Sequence, residues 1–418
     1  MQIIADLHLH SKYSRGCSKN LSLEILNYWA KIKGLNLLAT GDFTHPLWLL
    51  ELRKKLKEEK YGFFRLKNDP QSIYFLLGCE LSSIYKKYDK VRRIHYLVIF
   101  PDFDSVDKFV KKISVFANLK SDGRPILGLD ANEVLKISLD INESVIFIPA
   151  HIWTPWFSLY GSMSGFDSIY DSFGDNTKYI AAVETGLSSD PQMNWRIEEL
   201  DDLAIVSFSD AHSAYPHRLG REATIFNLED LNYNFLFKAL KNPDDKNKIL
   251  MTIEFFPEEG KYHYDGHRLC NISFSPEESK KNNYLCPVCK KKLTIGVMSR
   301  VEELASRSAY YFDNNRPSFK KVIPLTEILA EIYRSQPTAK KILDIYIDVI
   351  KNFGPEIDIL LENFDKEKMK INYPDIYNAL EKISQGEIFI QPGYDGEYGK
   401  IKIINNQSLA NNLKKTLF

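Results

Sequence analysis

Six of the chain's nine histidines stand at the ends of short, apolar, β-rich runs, and carboxylates accompany them there. The run Ile3–Leu7 leads into His8-Leu9-His10, and Leu35–Thr40 into Gly41-Asp42-Phe43-Thr44-His45. Ile73–Leu77 is followed by Gly78-Cys79-Glu80, and His95 opens the run to Phe100. Val145–Pro149 is followed by Ala150-His151, and Leu203–Phe208 by Ser209-Asp210-Ala211-His212. In extended chain, residues two apart point to the same side, so His8/His10 and Asp210/His212 each aim two ligands together. Imidazoles mixed with carboxylates suit Zn²⁺, Mn²⁺ or Fe²⁺. Nine such side chains exceed the needs of one tetrahedral ion, so two or three ions are expected. Clustered ions activate water and hold both oxygens of a phosphoryl displacement.

A second set has a different donor chemistry. His267-Arg268-Leu269-Cys270 and Cys286-Pro287-Val288-Cys289 form H-x2-C and C-x2-C pairs fifteen residues apart, the spacing of a structural zinc ribbon. Thiolates select Zn²⁺, and a closed set of four leaves no open position for catalysis. His263 is a rival for the place of His267 at this level. The five cysteines are odd in number and include this C-x-x-C pair, which argues against a disulfide framework and for a reducing compartment.

The elements that must position these residues read as an α/β fold. Residues 1 to about 235 alternate β-rich runs with helical stretches such as Leu23–Lys33, Leu47–Glu59 and Val106–Leu119. Several strand–helix units without a dinucleotide glycine fingerprint favour a β/α barrel, whose C-terminal strand ends share one mouth. A poorly periodic segment, 250–300, holds the zinc ligands. From Val301 to residue 418 the chain reads as mostly helical (Val301–Arg307, Leu325–Arg334, Thr338–Asn352, Ile357–Phe364). It closes with a Pro392-Gly393-Tyr394-Asp395-Gly396 turn and a strand at Lys400–Ile404. No apolar run reaches the ~18 residues of a membrane span. The opening Met1-Gln2-Ile3-Ile4-Ala5-Asp6 has no basic or apolar leader region, so a soluble cytoplasmic chain is expected.

The 55 Lys+Arg balance the 55 Asp+Glu, which excludes a globally basic nucleic-acid binder but not a local basic surface. From Lys280 to Lys341 there are 13 Lys or Arg against 5 Asp or Glu. This basic belt includes Lys290–Lys292, Arg300, Arg307, Arg316 and Lys320–Lys321, and it is the expected DNA-facing stretch. Trp153, Trp156 and Phe157 follow His151, where unpaired bases could stack. Arg15, Arg218 and Arg221 flank the metal-type motifs and are candidate phosphate contacts.

The order H-x-H, D, H, E, H, H, D-x-H resembles the polymerase and histidinol phosphatase (PHP) superfamily of phosphoesterases, which implies a distorted β/α barrel holding up to three ions. By that pattern His8, His10, Glu80 and Asp210 hold one ion, and Glu80 bridges to a second held by His95 and His151. Asp42, His45 and His212 hold a third. The family often places the second pair side by side, whereas Phe43-Thr44 separate Asp42 from His45 here. The segments ADLHLHSKYSR, TGDFTHPLWL, PAHIWTPWF, FSDAHS, RLGREAT, GKYHYDGHRLC, CPVCKKKLTIGV, SRVEELASR and QPGYDG further resemble the endonuclease Q family along nearly the whole chain.

That resemblance implies a DNA repair endonuclease, metal-dependent through two or three divalent ions (Zn, Mn or Mg) with one structural Zn. Its catalytic work falls to His8, Glu80 and Asp210. It would cut 5′ to uracil, hypoxanthine, xanthine or an abasic site in double- or single-stranded DNA, and the C-terminal domain would help recognise the lesion. The sliding clamp, a partner of archaeal relatives, enters through the resemblance alone, since Gln407 to Phe418 lacks a clean clamp-binding spacing. Three other readings are a small-molecule phosphatase on the barrel, a nuclease of another substrate and a non-catalytic DNA-binding scaffold. The phosphatase leaves the last 190 or so residues unused.

Overall fold

The computed structural model describes residues 1–403, so the tail from Gln407 to Phe418 lies outside the described residues. The strands before the zinc-type segment are β1 (Gln2–Asp6), β2 (Leu37–Ala39), β3 (Leu56–Lys60), β4 (Phe63–Leu66), β5 (Tyr74–Lys87) and β6 (Lys90–Phe100). They continue with β7 (Ile126–Leu127), β8 (Ile146–Pro149), β9 (Ala182–Glu184), β10 (Ala204–Val206), β11 (Ala223–Asn227) and β12 (Lys248–Glu254). β13 (Asp265–His267) and β14 (Ile272–Phe274) belong to that segment, β15 (Ser318–Lys321) follows, and β16 (Ile388–Gln391) with β17 (Lys400–Ile403) forms a late hairpin.

These strands curl into a distorted barrel. β1, β2 and β5 run parallel, β6 is antiparallel to both β5 and β8, and β9 pairs parallel with β10. Ala181 N–H to Phe147 O (3.1 Å) and Ile152 N–H to Glu184 O (3.1 Å) tie β9 to β8. A Leu9–Ala211 bridge and the Ser207–Thr224 hydrogen bonds close β10 onto β1 and β11. Ile3, Ala5, Leu37, Leu76, Leu97, Ile99, Ile148, Val206 and Phe208 fill the interior. The reversal of β6 carries a consequence for the site: His95, near its N-terminal half, is delivered to the same mouth as the C-terminal ends of β1, β2 and β8.

Local chemistry sets the flanking elements. Ser22 caps the helix Leu23–Lys33 by accepting from Ile25 N–H, and Gly34 ends it at φ 92°. A side chain there would also meet Pro355, since a Cβ would sit 2.9 Å from its Cβ. The helix expected over Leu47–Glu59 stops at Lys55, and Leu56–Lys60 becomes β3. Leu56 buries against Leu66 across the β3–β4 hairpin, and its exposed Lys57, Glu58, Glu59 and Lys60 suit a charged sheet edge. The main sheet extends beyond residue 235, since β12 pairs antiparallel with β11 and β15 parallel with β12.

The helical C-terminal part has its own core of Leu325, Leu329, Ile342, Tyr346, Val349, Phe353, Ile359, Met369 and Ile376. One buried ion pair fastens it to the barrel. Lys33 Nζ, on the first helix, lies 2.9 Å from Glu356 Oε1 and donates to Pro216 O at 2.9 Å, and both charged side chains are buried. Glu356 also accepts from Leu325 N–H (2.9 Å) and Tyr346 OH (2.7 Å), so its charge is fully hydrogen-bonded. Removing one partner of such a pair strands a buried charge.

A second buried feature lies at the mouth end of β11 and β12. Glu254 accepts from Ser207 and Thr252 through Oε1, and Glu222 accepts from Phe255 N–H (3.2 Å). Oε2 of each has no partner among the described residues. Burial, reinforced by nearby Asp190, pushes the Glu254 pKa up to about 8, and burial beside Glu254 holds Glu222 well above the carboxylate range. Glu254 therefore carries a proton near neutrality while its unfolded form does not. The native state binds that extra proton between about 4.5 and 8, so this contribution to stability is greatest on the acid side and falls through that window.

Two outcomes follow. Lys33→Ala should lower the unfolding free energy by about 3 kcal/mol in urea titration, as expected for a buried pair broken on one side. Glu254 should contribute a fall in unfolding free energy of about 1.4 kcal/mol per pH unit from about pH 5 to about pH 8, and Glu254→Gln should remove that part of the slope.

Candidate metal centre

The barrel mouth gathers two groups of potential metal ligands. In the first, His10 Nε2 lies 3.1 Å from Glu80 Oε2 and 3.2 Å from Asp210 Oδ1, and His8 Nε2 lies 3.4 and 3.5 Å from the same atoms. A tetrahedral ion with ligands ~2.0–2.1 Å away separates them by about 3.3 Å, so the spacing fits. His8 Nε2, His10 Nε2 and Asp210 Oδ1 are buried without a directional hydrogen bond, as expected of lone pairs turned toward a cation. In the second group, Glu80 Oε1 lies 2.7 Å from His95 Nδ1 and 3.3 Å from His151 Nε2, and the two imidazoles are 3.3 Å apart. Glu80 thus turns one oxygen toward each group.

Electrostatics point the same way. Asp42, Glu80 and Glu184 are fully buried here, and Asp210 is mostly buried with a quarter of its side chain exposed. Arg124 Nη1, 2.8 Å from Glu80 Oε2, is the fixed cation in contact with them. Burial by itself would lower His8 and His10, but Glu184, Asp210 and Glu80 around His8, and Asp42, Asp210 and Glu80 around His10, hold both well above the usual imidazole value. Burial would raise Glu80, yet Arg124, His95 and His8 keep it well below the carboxylate range. Acidic groups packed this densely call for compensating positive charge, which divalent ions would supply.

Asp42, His45 and His212 do not form a third group of this kind among the described residues. Asp42 instead accepts from Ser11 N–H (2.6 Å), Ser11 Oγ (2.7 Å) and Ser14 Oγ (2.9 Å) on Oδ2, and its Oδ1 faces His10 Nδ1 at 3.1 Å. Asp42 thus contacts His10 and two serines where the pattern suggested a metal ligand. His45 stacks on Tyr13 with ring centroids 4.2 Å apart, and His212 turns Nδ1 to Asp210 O at 3.0 Å.

The zinc-type residues converge in the segment after β12. His267, Cys270, Cys286 and Cys289 bring their ligand atoms within 4.8 Å of one another, and His267 Nδ1 lies 3.6 Å from Cys289 Sγ. His263 is turned inward, 5% exposed, and stands outside that set. Burial opposes ionisation of Cys286, but the N–H groups of Cys289 and Val288 outweigh it and lower its pKa, favouring the thiolate a metal binds. The late glycine-rich turn clasps this segment: Asp395 accepts from Arg268 N–H and Thr294 Oγ1, both at 2.6 Å.

Part of the expected basic belt is already paired within the protein. Arg300 donates to Tyr160 O and Phe166 O, Arg307 and Arg316 both grip Asp201, Lys320 meets Glu362, and Lys321 meets Asp190. Lys290–Lys292 remain exposed. Likewise Arg221 is buried and donates to Ser209 O at 3.1 and 3.2 Å, steadying the Asp210 loop, while Arg15 stands in solvent beside Asp122. Trp153 is core, donating to Asn194 Oδ1 at 2.8 Å; Trp156 and Phe157 are half-buried at the rim. A count of charges along a sequence does not separate a free cation from one already paired.

Two residues of the mouth carry no metal-spacing signal in the sequence. Arg124 sits in a loop, and Glu184 ends β9. Glu184 Oε1 and Oε2 lie 2.9 and 3.0 Å from His8 Nδ1, and Oε2 accepts from His151 N–H at 2.8 Å. One carboxylate therefore fixes the ring of a first-group ligand and the backbone of a second-group ligand, in the carboxylate–histidine arrangement that orients metal-binding imidazoles. Gly186 lets this loop approach, since a Cβ there would lie 2.3 Å from His151 Cβ. Asp42, His151 and Asp210 adopt φ of 48°, 29° and 48°, a conformation these residues rarely occupy and one typical of functional sites. Glu184→Gln should weaken metal binding by about 10–100-fold in chelator competition, because the amide supplies a single neutral acceptor.

Residues 324–387 match the MJ0043 C-terminal domain family. Protein MJ0043 of Methanocaldococcus jannaschii is 38% identical over 255 residues, 60% of this chain, which spans 31% of that longer protein. The lesion-specific endonuclease PfuEndoQ from Pyrococcus furiosus shares the fold at a TM-score of 0.85 and 32% identity, over 98% of this chain and 99% of that one. A structure of endonuclease Q with a 27-mer duplex carrying an abasic lesion at its active site matches at 0.85 and 32%, over 97% of each chain. Matched from end to end at 32% identity and this TM-score, the chain belongs to the endonuclease Q family.

Proposed function

We propose that this protein is a DNA repair endonuclease that hydrolyses the phosphodiester on the 5′ side of a deaminated base (uracil, hypoxanthine or xanthine) or an abasic site. The products are a 3′-hydroxyl and a 5′-phosphate. Its family makes it a metal-dependent DNA-cleaving hydrolase. The observation that carries the reading is Glu80, with Oε2 toward His8, His10 and Asp210 and Oε1 toward His95 and His151. A carboxylate shared between two ligand groups is the arrangement for a pair of ions acting on one phosphate.

Zn²⁺, Mn²⁺ or Mg²⁺, held as such a pair, would activate a water for attack and neutralise the phosphoryl oxygens. His8, His10, Glu80 and Asp210 would hold one ion, and Glu80, His95 and His151 the other. Asp210 is the ligand of the first group with an exposed edge, which suits it to take the proton of an incoming water. Arg124, at 2.8 Å from Glu80, keeps that carboxylate ionised. Glu184 and Asp42 fix the imidazoles from behind. His267, Cys270, Cys286 and Cys289 would hold a structural Zn²⁺ in a closed set. The damaged nucleotide, cheaper to extrude than a paired one, would be flipped toward the mouth. The abasic duplex held at the active site of a relative supports DNA as the substrate.

A single incubation series tests this. Duplexes bearing one uracil, hypoxanthine, abasic site or ordinary base are mixed with protein and Mg²⁺, Mn²⁺ or Zn²⁺, and the cut is mapped on a gel. Cleavage is expected 5′ to the lesion alone. Asp210→Asn should retain lesion-duplex binding and lose at least about a hundredfold in cleavage, because removing a ligand should cost more than removing its orienting partner. Full cleavage by that variant, or hydrolysis of a free phosphomonoester only, would overturn the proposal.

A further inference from the structure

The β5–β6 hairpin does more than deliver Glu80 and His95. Beyond them both strands continue away from the barrel to a tip at Tyr88 and Asp89, with φ of 51° and 57°. Residues two apart share a face, so Glu80, Ser82, Ile84 and Lys86 line one side of β5. Across from Ser82, Ile84 and Lys86 stand His95, Arg93 and Val91. The metal-facing side of the hairpin is therefore a wall that leads straight out from the ligands, with Arg93 one pleat repeat from His95.

The cations on its two sides differ. On the outer face Lys87 Nζ meets Asp130 at 3.2 Å and donates to Ser172 O at 2.8 Å, and Arg92 donates to Gly165 O and Lys87 O. On the metal-facing side, Arg93 is half-buried, its Nε is buried without a partner, and no carboxylate lies in ion-pair range among the described residues. Its guanidinium sits 5.6 Å from the Phe157 ring, which packs 4.7 Å from the His95 ring. Phe157 holds that place at φ 61°, an outlier for an aromatic residue, while its carbonyl accepts from His95 N–H at 3.1 Å. Further out, Lys86 is 70% exposed, with Asp89 of the tip as its solvent-screened neighbour. A half-buried guanidinium without an anion is costly unless something fills the gap.

We propose that the metal-facing side of this hairpin binds the phosphodiester backbone of the substrate strand next to the scissile bond. Arg93 grips the phosphate nearest the ligands, and Lys86 meets one farther along. The inference rests on the DNA-hydrolysing reading above. Arg93 lies ~7 Å and Lys86 ~13 Å along the strand from His95. Phosphates recur every ~3.4 Å of rise on one DNA strand, so the two cations reach different phosphates. Ile84 and Val91, between and beside them, offer apolar contact to sugars.

The test is binding of a fluorescent duplex carrying one abasic site, measured by anisotropy across a salt series, with cleavage and metal content followed in parallel. Arg93→Gln should weaken binding about tenfold and lower the slope of log K against log salt by about 0.9, the value for one phosphate contact. Lys86→Gln, remote from every ligand, should lower the slope with unchanged metal content, and the double variant should lower it by about twice as much. Unchanged slope and affinity in the double variant would overturn the inference, as would loss of bound metal in Arg93→Gln with a normal slope in Lys86→Gln. Binding without cutting by the unaltered protein would overturn the proposed function and leave the hairpin to be judged on the slopes. Normal cutting with unchanged slopes would overturn the hairpin and leave the function standing.

Discussion

Four carboxylates crowded into one barrel mouth form the constraint around which the rest of the structure is arranged. Asp42, Glu80 and Glu184 are buried and Asp210 is mostly so, and charges this close cannot remain ionised in a low-dielectric setting without compensation. The fold answers in layers. Imidazoles separate the carboxylates, Ser11 and Ser14 satisfy Asp42, Arg124 contacts Glu80, and the remaining lone pairs turn toward two centres that suit divalent ions. A metal site is the physical solution to that arrangement as well as its purpose. The same logic explains the strained φ at Asp42, His151 and Asp210. Regular backbone would not aim three side chains at one point from three loops.

The barrel departs from a regular parallel one where the chemistry requires it. Reversal of β6 brings His95 beside Glu80 from the neighbouring strand and extends both strands past the mouth. Glu184, at the end of β9, then couples the two ligand groups through His8 and the His151 backbone. These features are not independent. A shift in β9 would move a candidate ligand of each group together.

The C-terminal part is bound to the barrel by charge as much as by apolar contact. Lys33–Glu356, Arg307 and Arg316 on Asp201, and Lys321–Asp190 all cross between segments distant in sequence. Cations that looked available to nucleic acid are thereby used to hold the molecule together. Arg93, with no carboxylate in ion-pair range among the described residues, sits instead in the barrel's own hairpin, and Lys290–Lys292 remain exposed.

The residue types and spacings alone pointed to the donor chemistry of both metal-type sets, because H-x-H and C-x-x-C pairs aim side chains through local geometry that needs no partner. They also determined most strands and the first helix, whose cap, apolar face and terminal glycine are local signals. Tertiary structure alone decided the rest. Whether Asp42 binds a metal or orients His10 depends on two serines that fold against it, and the cysteines gather His267 rather than His263 only once the segment turns. Glu184 and Arg124 meet the site from strands and loops far along the chain, and no spacing encodes such contacts. Which cations are free was equally invisible, since a charge is spent or spare only according to what folding places opposite it.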